Sequence, residues 1–268
     1  MVSTFLGSVS AHFATARIAA FAPLSDGFWF LTGILLRLVG LLIWLAVWPA
    51  MVAPGQLVGG YRLDTLLTYT LVAAVFSAQL RVRTPIAASL RSGAIASRFT
   101  WPLPLATQYV AEMAGGWIVP LTVVSVPLVL VAPLLGVNPW PASVTAAGLF
   151  VVSLSLGVAI GIAIDFAYAL FAVRLGLSGW SPLDALRETV VAFTSGAWVP
   201  LGVLPFHLGA GFQWLPFASA ASAPLRIYTG TGDPLLLIPV QAIWAIVLAL
   251  AVRALWTATR ERLALHGG

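Results

Sequence analysis

The chain has 268 residues, of which 60% are hydrophobic and 8% charged, with a formal net charge of +5. A soluble domain carries about a quarter charged residues, so this composition excludes a disordered chain and an ordinary water-soluble enzyme. It points instead to an all-α polytopic membrane protein, one domain over 1–268. The 18 Pro and 24 Gly are spread through apolar segments, which favours bent or broken helices over outer-membrane strands. All 13 basic residues are Arg, so the chain offers no lysine for a Walker-type nucleotide loop. With no Cys it has no disulfide, thiolate nucleophile or Cys metal site.

The stretch from Met1 to Phe21 lacks the charged start and continuous apolar core of a signal peptide. His12 and Arg17 sit there among alanines, and the stretch reads as an interfacial helix. Six apolar spans are expected, at about 28–48, 63–80, 109–135, 143–171, 190–208 and 235–256. Pro120, Pro127 and Pro200 are expected to tilt or kink them. Six spans place both termini on one side, with Arg17, Arg81, Arg83, Arg91, Arg98, Arg174, Arg187, Arg253, Arg260 and Arg262. Arg62 and Arg226 fall on the other side. By the positive-inside rule the termini and the 81–107 and 173–188 loops are then cytoplasmic, in a cell membrane.

Residues 81–107 hold four Arg, and Ile86, Leu90 and Ile95 share one side of a short helix. That helix either lies on the lipid surface or docks a soluble partner, with Arg91 and Arg98 on its other faces. Residues 209–234 are apolar but broken by Gly and Pro. Non-helical backbone at membrane depth must be buried in protein or line a wet cavity, so this stretch reads as a re-entrant outer hairpin before the last helix.

Two stretches carry a family likeness. Thr65–Leu80 leads into LRSGAIASRFTWPLPL (Leu90–Leu105), with Gly93, Ile95 and Pro102 at marked positions. FTSGAWVPLGVLP (Phe193–Pro205) and LPFASAASAPLRIYTG (Leu215–Gly230) set Gly196, Pro200, Leu201, Pro205, Leu215, Pro216, Phe217, Pro224 and Gly230 at fixed offsets. On these residues the chain resembles the membrane subunit of an ABC-2 type transporter, in a short six-span branch of multidrug-export permeases. It departs from the pattern at Ser89 and Leu90, where an acidic residue is common, and at Phe99-Thr100-Trp101-Pro102, where Leu-Leu-Arg-Pro is usual.

The resemblance implies a coupling helix about Gly93 and Ile95, and an ATP-driven exporter of amphipathic, drug-like or lipid-like substrates. It implies two ATP-binding subunits that carry ATP and Mg, and a second permease subunit, either identical or related. No cofactor, metal or nucleic acid is expected on this chain, and membrane lipid is its solvent.

Asp165 is the one acidic residue well inside an expected span, where a carboxylate is expensive unless paired, protonated or wet. It reads as a substrate-path residue, as a proton carrier in a gradient-driven transporter, or as a structural carboxyl. Arg37 either snorkels to the interface or pairs with Asp165. Glu112 caps its helix or pairs with a loop Arg. In SPLDALRETV, Ser181 and Pro182 read as a capped helix start, which makes Asp184 and Arg187 a second pair of coupling candidates. Gly157 and Gly161 have the spacing for close helix packing, within the chain or between subunits. Gly230-Thr231-Gly232-Asp233 matches an intramembrane aspartyl-protease string, which would need Asp165 as its facing partner. A membrane scaffold without transport remains a further reading.

Overall fold

The computed structural model describes residues 2–25, 27–53, 55–101, 103–176 and 182–265. Apart from an isolated bridge between Val58 and Tyr61, the regular structure of these residues is helical. The main helices are α1 (Val2–Ser25), α2 (Gly27–Met51), α3 (Leu63–Val75) and α4 (Ile86–Ser92). Then follow α5 (Leu105–Leu135, interrupted by a π-turn), α6 (Val144–Arg174), α7 (Pro182–Thr194), α8 (Pro216–Tyr228) and α9 (Pro234–Leu265).

Among the described residues four helices, not six, are long and apolar enough to cross a membrane: α2, α5, α6 and α9. The expected spans at 28–48, 109–135, 143–171 and 235–256 fall within them. The expected span at 63–80 is a correction. Its helix α3 has 13 residues, about 20 Å of rise, against the roughly 30 Å of a hydrocarbon core. It stops at Phe76, before a separate turn at Ser77–Leu80. Leu66, Tyr69, Leu71 and Val72 of α3 are almost wholly buried. An apolar run reads alike whether it faces lipid or protein, and this one faces protein.

The expected span at 190–208 is the second correction. Helix α7 ends at Thr194, and the chain continues through irregular backbone into 3-10 turns at Leu201–Val203 and Pro205–His207. Gly196 has a left-handed φ of 71°, as do Phe206 and His207 at 58° and 57°. Pro200 and Pro205 supply no N–H, so a continuous helix has neither the donors nor the dihedrals it needs here. The 209–234 stretch forms a short turn at Leu208–Phe212 and then α8.

Helix α8 lies deep in the bundle, packed on α6, α9 and α3, with Ala218 through Leu225 buried. Pro224 denies the carbonyl of Ala220 its intrahelical donor, and Gly157 of α6 comes against that carbonyl. A Cβ on Gly157 would lie 2.4 Å from the Ala220 oxygen. The Gly157 spacing thus serves packing within the chain, as does Gly161, which meets Val82. A polar clip joins α6, α8 and α9. Gln241 of α9 donates to the carbonyls of Ser153 (3.0 Å) and Ser219 (2.7 Å) and accepts from the Ser153 hydroxyl (2.8 Å).

Helix α1 crosses the start of α5, where the backbone of Ala16 lies against Gly115. Helix α2 rests mainly on α3, with Trp44 and Trp48 stacked at 5.1 Å and the Trp48 indole donating to Thr70. At one end of the bundle Ala142 donates its N–H to Tyr228, and the Tyr228 hydroxyl bonds the Pro139 carbonyl. At the other end Ile86, Ile95, Leu105, Tyr109, Phe166 and Leu170 form one cluster. The kink expected in α5 takes the form of a π-turn, Leu121–Ser125, between Pro120 and Pro127.

Candidate functional site

Asp165 lies nine residues before the end of α6 and is 2% exposed. Its Oδ1 stands 2.6 Å from Nη2 of Arg187 on α7. Its Oδ2 accepts from the Thr84 N–H at 2.8 Å and from the Thr84 hydroxyl. One carboxylate therefore joins α6, α7 and the segment that leads into α4. The pair stands only because both oxygens take donors, since a lone buried charge is costly.

Around this node the sequence candidates divide into two groups. Arg187 also lies over the Tyr168 ring at 5.0 Å, and the Tyr168 hydroxyl donates to Asp184 at 2.9 Å. Arg83 pairs with Glu188 of α7 and Thr84 bonds Asp165 of α6, so the 81–84 segment is tied to both helices. Arg37 does not pair with Asp165. It lines a cavity of about 320 Å3 that Arg81, Arg83, Arg187 and Glu188 also line.

The second group sits at the α4 end of the bundle. Gly93 closes α4 in a left-handed conformation, φ 71°, the usual glycine cap. Ile95 is fully buried beside Ile86, so it anchors the segment and offers no surface to a partner. Arg98 is held between Glu112, at 2.6 Å, and the Tyr109 ring, at 4.7 Å. Of the two readings of Glu112, the structure has the pairing. The side chain of Arg91 and residues Pro102 and Ser181 lie outside what is described.

The remaining motif positions are backbone punctuation. Gly196 offers its carbonyl to the Tyr69 hydroxyl at 2.6 Å. Pro200 and Pro205 open the two 3-10 turns, and Pro216 opens α8. Phe217 reaches the wall of the arginine-lined cavity, Pro224 is buried, and Gly230 turns the chain toward α9 with φ 70°. Asp233 caps α9 by accepting from the Leu235 N–H at 2.9 Å. With Asp165 held by Thr84 and Arg187, the two carboxylates do not form the facing dyad that proteolysis needs.

Sequence reasoning missed Thr84 and Gln241. Neither stands in a motif, and a buried hydroxyl or amide has no signature until its partners are known. Chemically, the site can transmit a displacement of the 81–98 segment or of α7 to the middle of α6, since these elements share one carboxylate. It holds no nucleophile–base pair among the described residues.

A family model described as an ABC-2 family transporter protein matches residues 34–267. No curated protein and no solved structure matches the chain.

Proposed function

This chain belongs to the ABC-2 family of transporter proteins, and from that premise we propose that it is the permease half of an ATP-driven exporter. As a membrane permease component of an ABC-type system it is non-catalytic and pairs with an ATP-binding subunit. The assembly proposed has two ATP-binding subunits, which bind ATP and Mg, beneath two permease subunits, identical or related. The substrate proposed is amphipathic, because the bundle offers apolar walls and few charges.

The observation that carries the coupling is the Asp165 node. Helices α4 and α7 are the proposed contacts for the ATP-binding subunit, with Gly93, Arg91, Asp184 and Arg187 on or beside them. Through Thr84 and Arg187 their displacement reaches α6, whose Gly161 and Ile164 wall the cavity. A proton cycle on Asp165 finds no support, because an arginine and two further donors hold the carboxylate.

The test is transport in proteoliposomes containing the chain co-purified with its ATP-binding subunit. An amphipathic dye should move with ATP and Mg and stay put under a pH gradient alone. Movement that follows the pH gradient and ignores ATP would overturn the reading.

The end of the bundle where Val173 and Val252 join Ile86 and Ile95 carries Arg83, Arg98, Arg174 and Arg253, and the Tyr228 end carries Arg226, which supports a cytoplasmic C-terminus in an inner or plasma membrane. Reporter fusions at Pro139 and Gly232, at the Tyr228 end of the bundle, should read outside, and a C-terminal fusion inside. A C-terminal reporter found outside would invert the orientation.

A further inference from the structure

Two cavities of about 320 Å3 each meet at Arg37 and Arg81, which line both. The first also contains Arg83, Arg187 and Glu188. The second is walled mainly by apolar groups, among them Leu36, Leu41, Trp44, Ala73 and Trp198. Each is of the size that small ligands occupy.

The charges in this space do not balance. Asp165 is taken by Arg187 and Glu188 by Arg83. Among the described residues Arg37 and Arg81 make no ion pair, and the Arg81 guanidinium lies 5.0 Å over the Trp198 ring. Arg37 is the eleventh residue of α2, about 15 Å along a helix that crosses about 30 Å of hydrocarbon. A cation at that depth is expensive unless an anion or water meets it. Two guanidiniums at one junction make a fork suited to the oxygens of an acid group. Helix α2 bears Leu36, 66% exposed, at the rim of the second cavity, which gives an alkyl or aryl chain an apolar flank.

We propose that Arg37 and Arg81 form the headgroup site for an anionic amphiphile, its acid group between the two guanidiniums and its apolar chain against Trp44 and Trp198. This deepens the permease reading and rests on it for the ligand's onward movement, but binding itself needs no ATP. The site selects against cations, since its net charge is positive and its carboxylates are already paired.

The probe is dodecyl phosphate, titrated below its micellar concentration against the full chain co-purified with its ATP-binding subunit in nanodiscs of zwitterionic lipid, without ATP. Tryptophan fluorescence reports binding beside Trp44 and Trp198. Dodecyl phosphate should bind at least about tenfold more tightly than dodecyltrimethylammonium, a difference of about 1.4 kcal/mol. Inorganic phosphate should compete only weakly, which separates an amphiphile site from a free-anion site. Equal competition by inorganic phosphate would overturn the apolar half of the proposal.

Arg37→Gln and Arg81→Gln should each weaken dodecyl phosphate about tenfold, while Arg37→Lys should restore most of the loss. Arg62→Gln, whose partner is Asp64 and which lines neither cavity, should stay within about twofold. Thermal unfolding and subunit stoichiometry are followed for each variant. Unchanged binding in both Gln variants, or no preference for the anionic probe, would overturn the site. So would dissociation of the permease pair in folded Arg37→Gln, because the arginines would then be meeting a neighbouring subunit's carboxylate. Selective binding without ATP-dependent transport would leave the site standing and overturn only the exporter.

Discussion

Replacing Arg187 with Ala is expected to cost about 3–5 kcal/mol of stability, because it leaves the Asp165 carboxylate buried with only Thr84 to meet it. Asp165→Leu should cost a similar amount by stranding the guanidinium, which is 13% exposed. The double variant Asp165→Leu, Arg187→Met removes both charges and should lose less than the two single losses together. Thermal unfolding of the four proteins in one detergent closes the cycle. Additive losses would mean that the two groups do not act as a pair. In reconstituted complexes the double variant has a second use. It restores packing without the charged link between α6 and α7, so stability should return while ATP hydrolysis by the partner subunit loses its dependence on substrate. Full coupling in the double variant would place transmission elsewhere.

A second large effect is expected from a single methyl group. Gly157→Ala sets a Cβ 2.4 Å from the Ala220 carbonyl oxygen, which is backbone and cannot rotate away. The helix gains about 1 kcal/mol of propensity from losing a glycine, yet α6 and α8 must separate to admit the carbon. Forced overpacking of this kind costs about 3 kcal/mol. Gly148→Ala, on the same helix with nothing within 4 Å of its Cβ, receives the propensity gain alone. The two variants should therefore shift the unfolding midpoint in opposite directions. Equal upward shifts would show that α6 and α8 are not in close contact at Gly157.

The four long helices were legible because each is a long, continuous apolar run. The two failures share a cause. Leu63–Leu80 and Val190–Leu208 are apolar enough to pass for spans, but hydropathy does not register that α3 is clothed by protein or that Gly196, Pro200 and Pro205 break the chain. Those same residues stood out as motif positions, and their structural meaning as breaks was available from their chemistry. Ile86 and Leu90 lie on α4 as their spacing suggested, whereas Ile95 comes after the Gly93 cap and reaches the same cluster through the turn and not through helical spacing. Asp165 stood out as expensive, but its partner did not. Arg187 lies 22 residues away, beyond a loop whose path composition does not encode. The arginine-lined cavity was invisible for the same reason: its charges come from α2, the 81–83 segment and α7, and only the fold adds them together.

The π-turn at Leu121–Ser125 sets a phase. One extra residue in a helix rotates everything after it by about 100° relative to everything before. Upstream of the turn, α5 aims Gly115 at α1; the turn's own last residue, Ser125, donates its hydroxyl to the Val75 carbonyl, 2.7 Å away, and downstream Leu128 and Ala132 enter the cluster with Leu71 and Leu41. The irregularity acts as a rotary joint fixed at a single angle, letting one rod address two neighbours that stand in different directions. Pro127 favours that angle, because it has no N–H to give the Val123 carbonyl the bond that plain α-helical pairing would need.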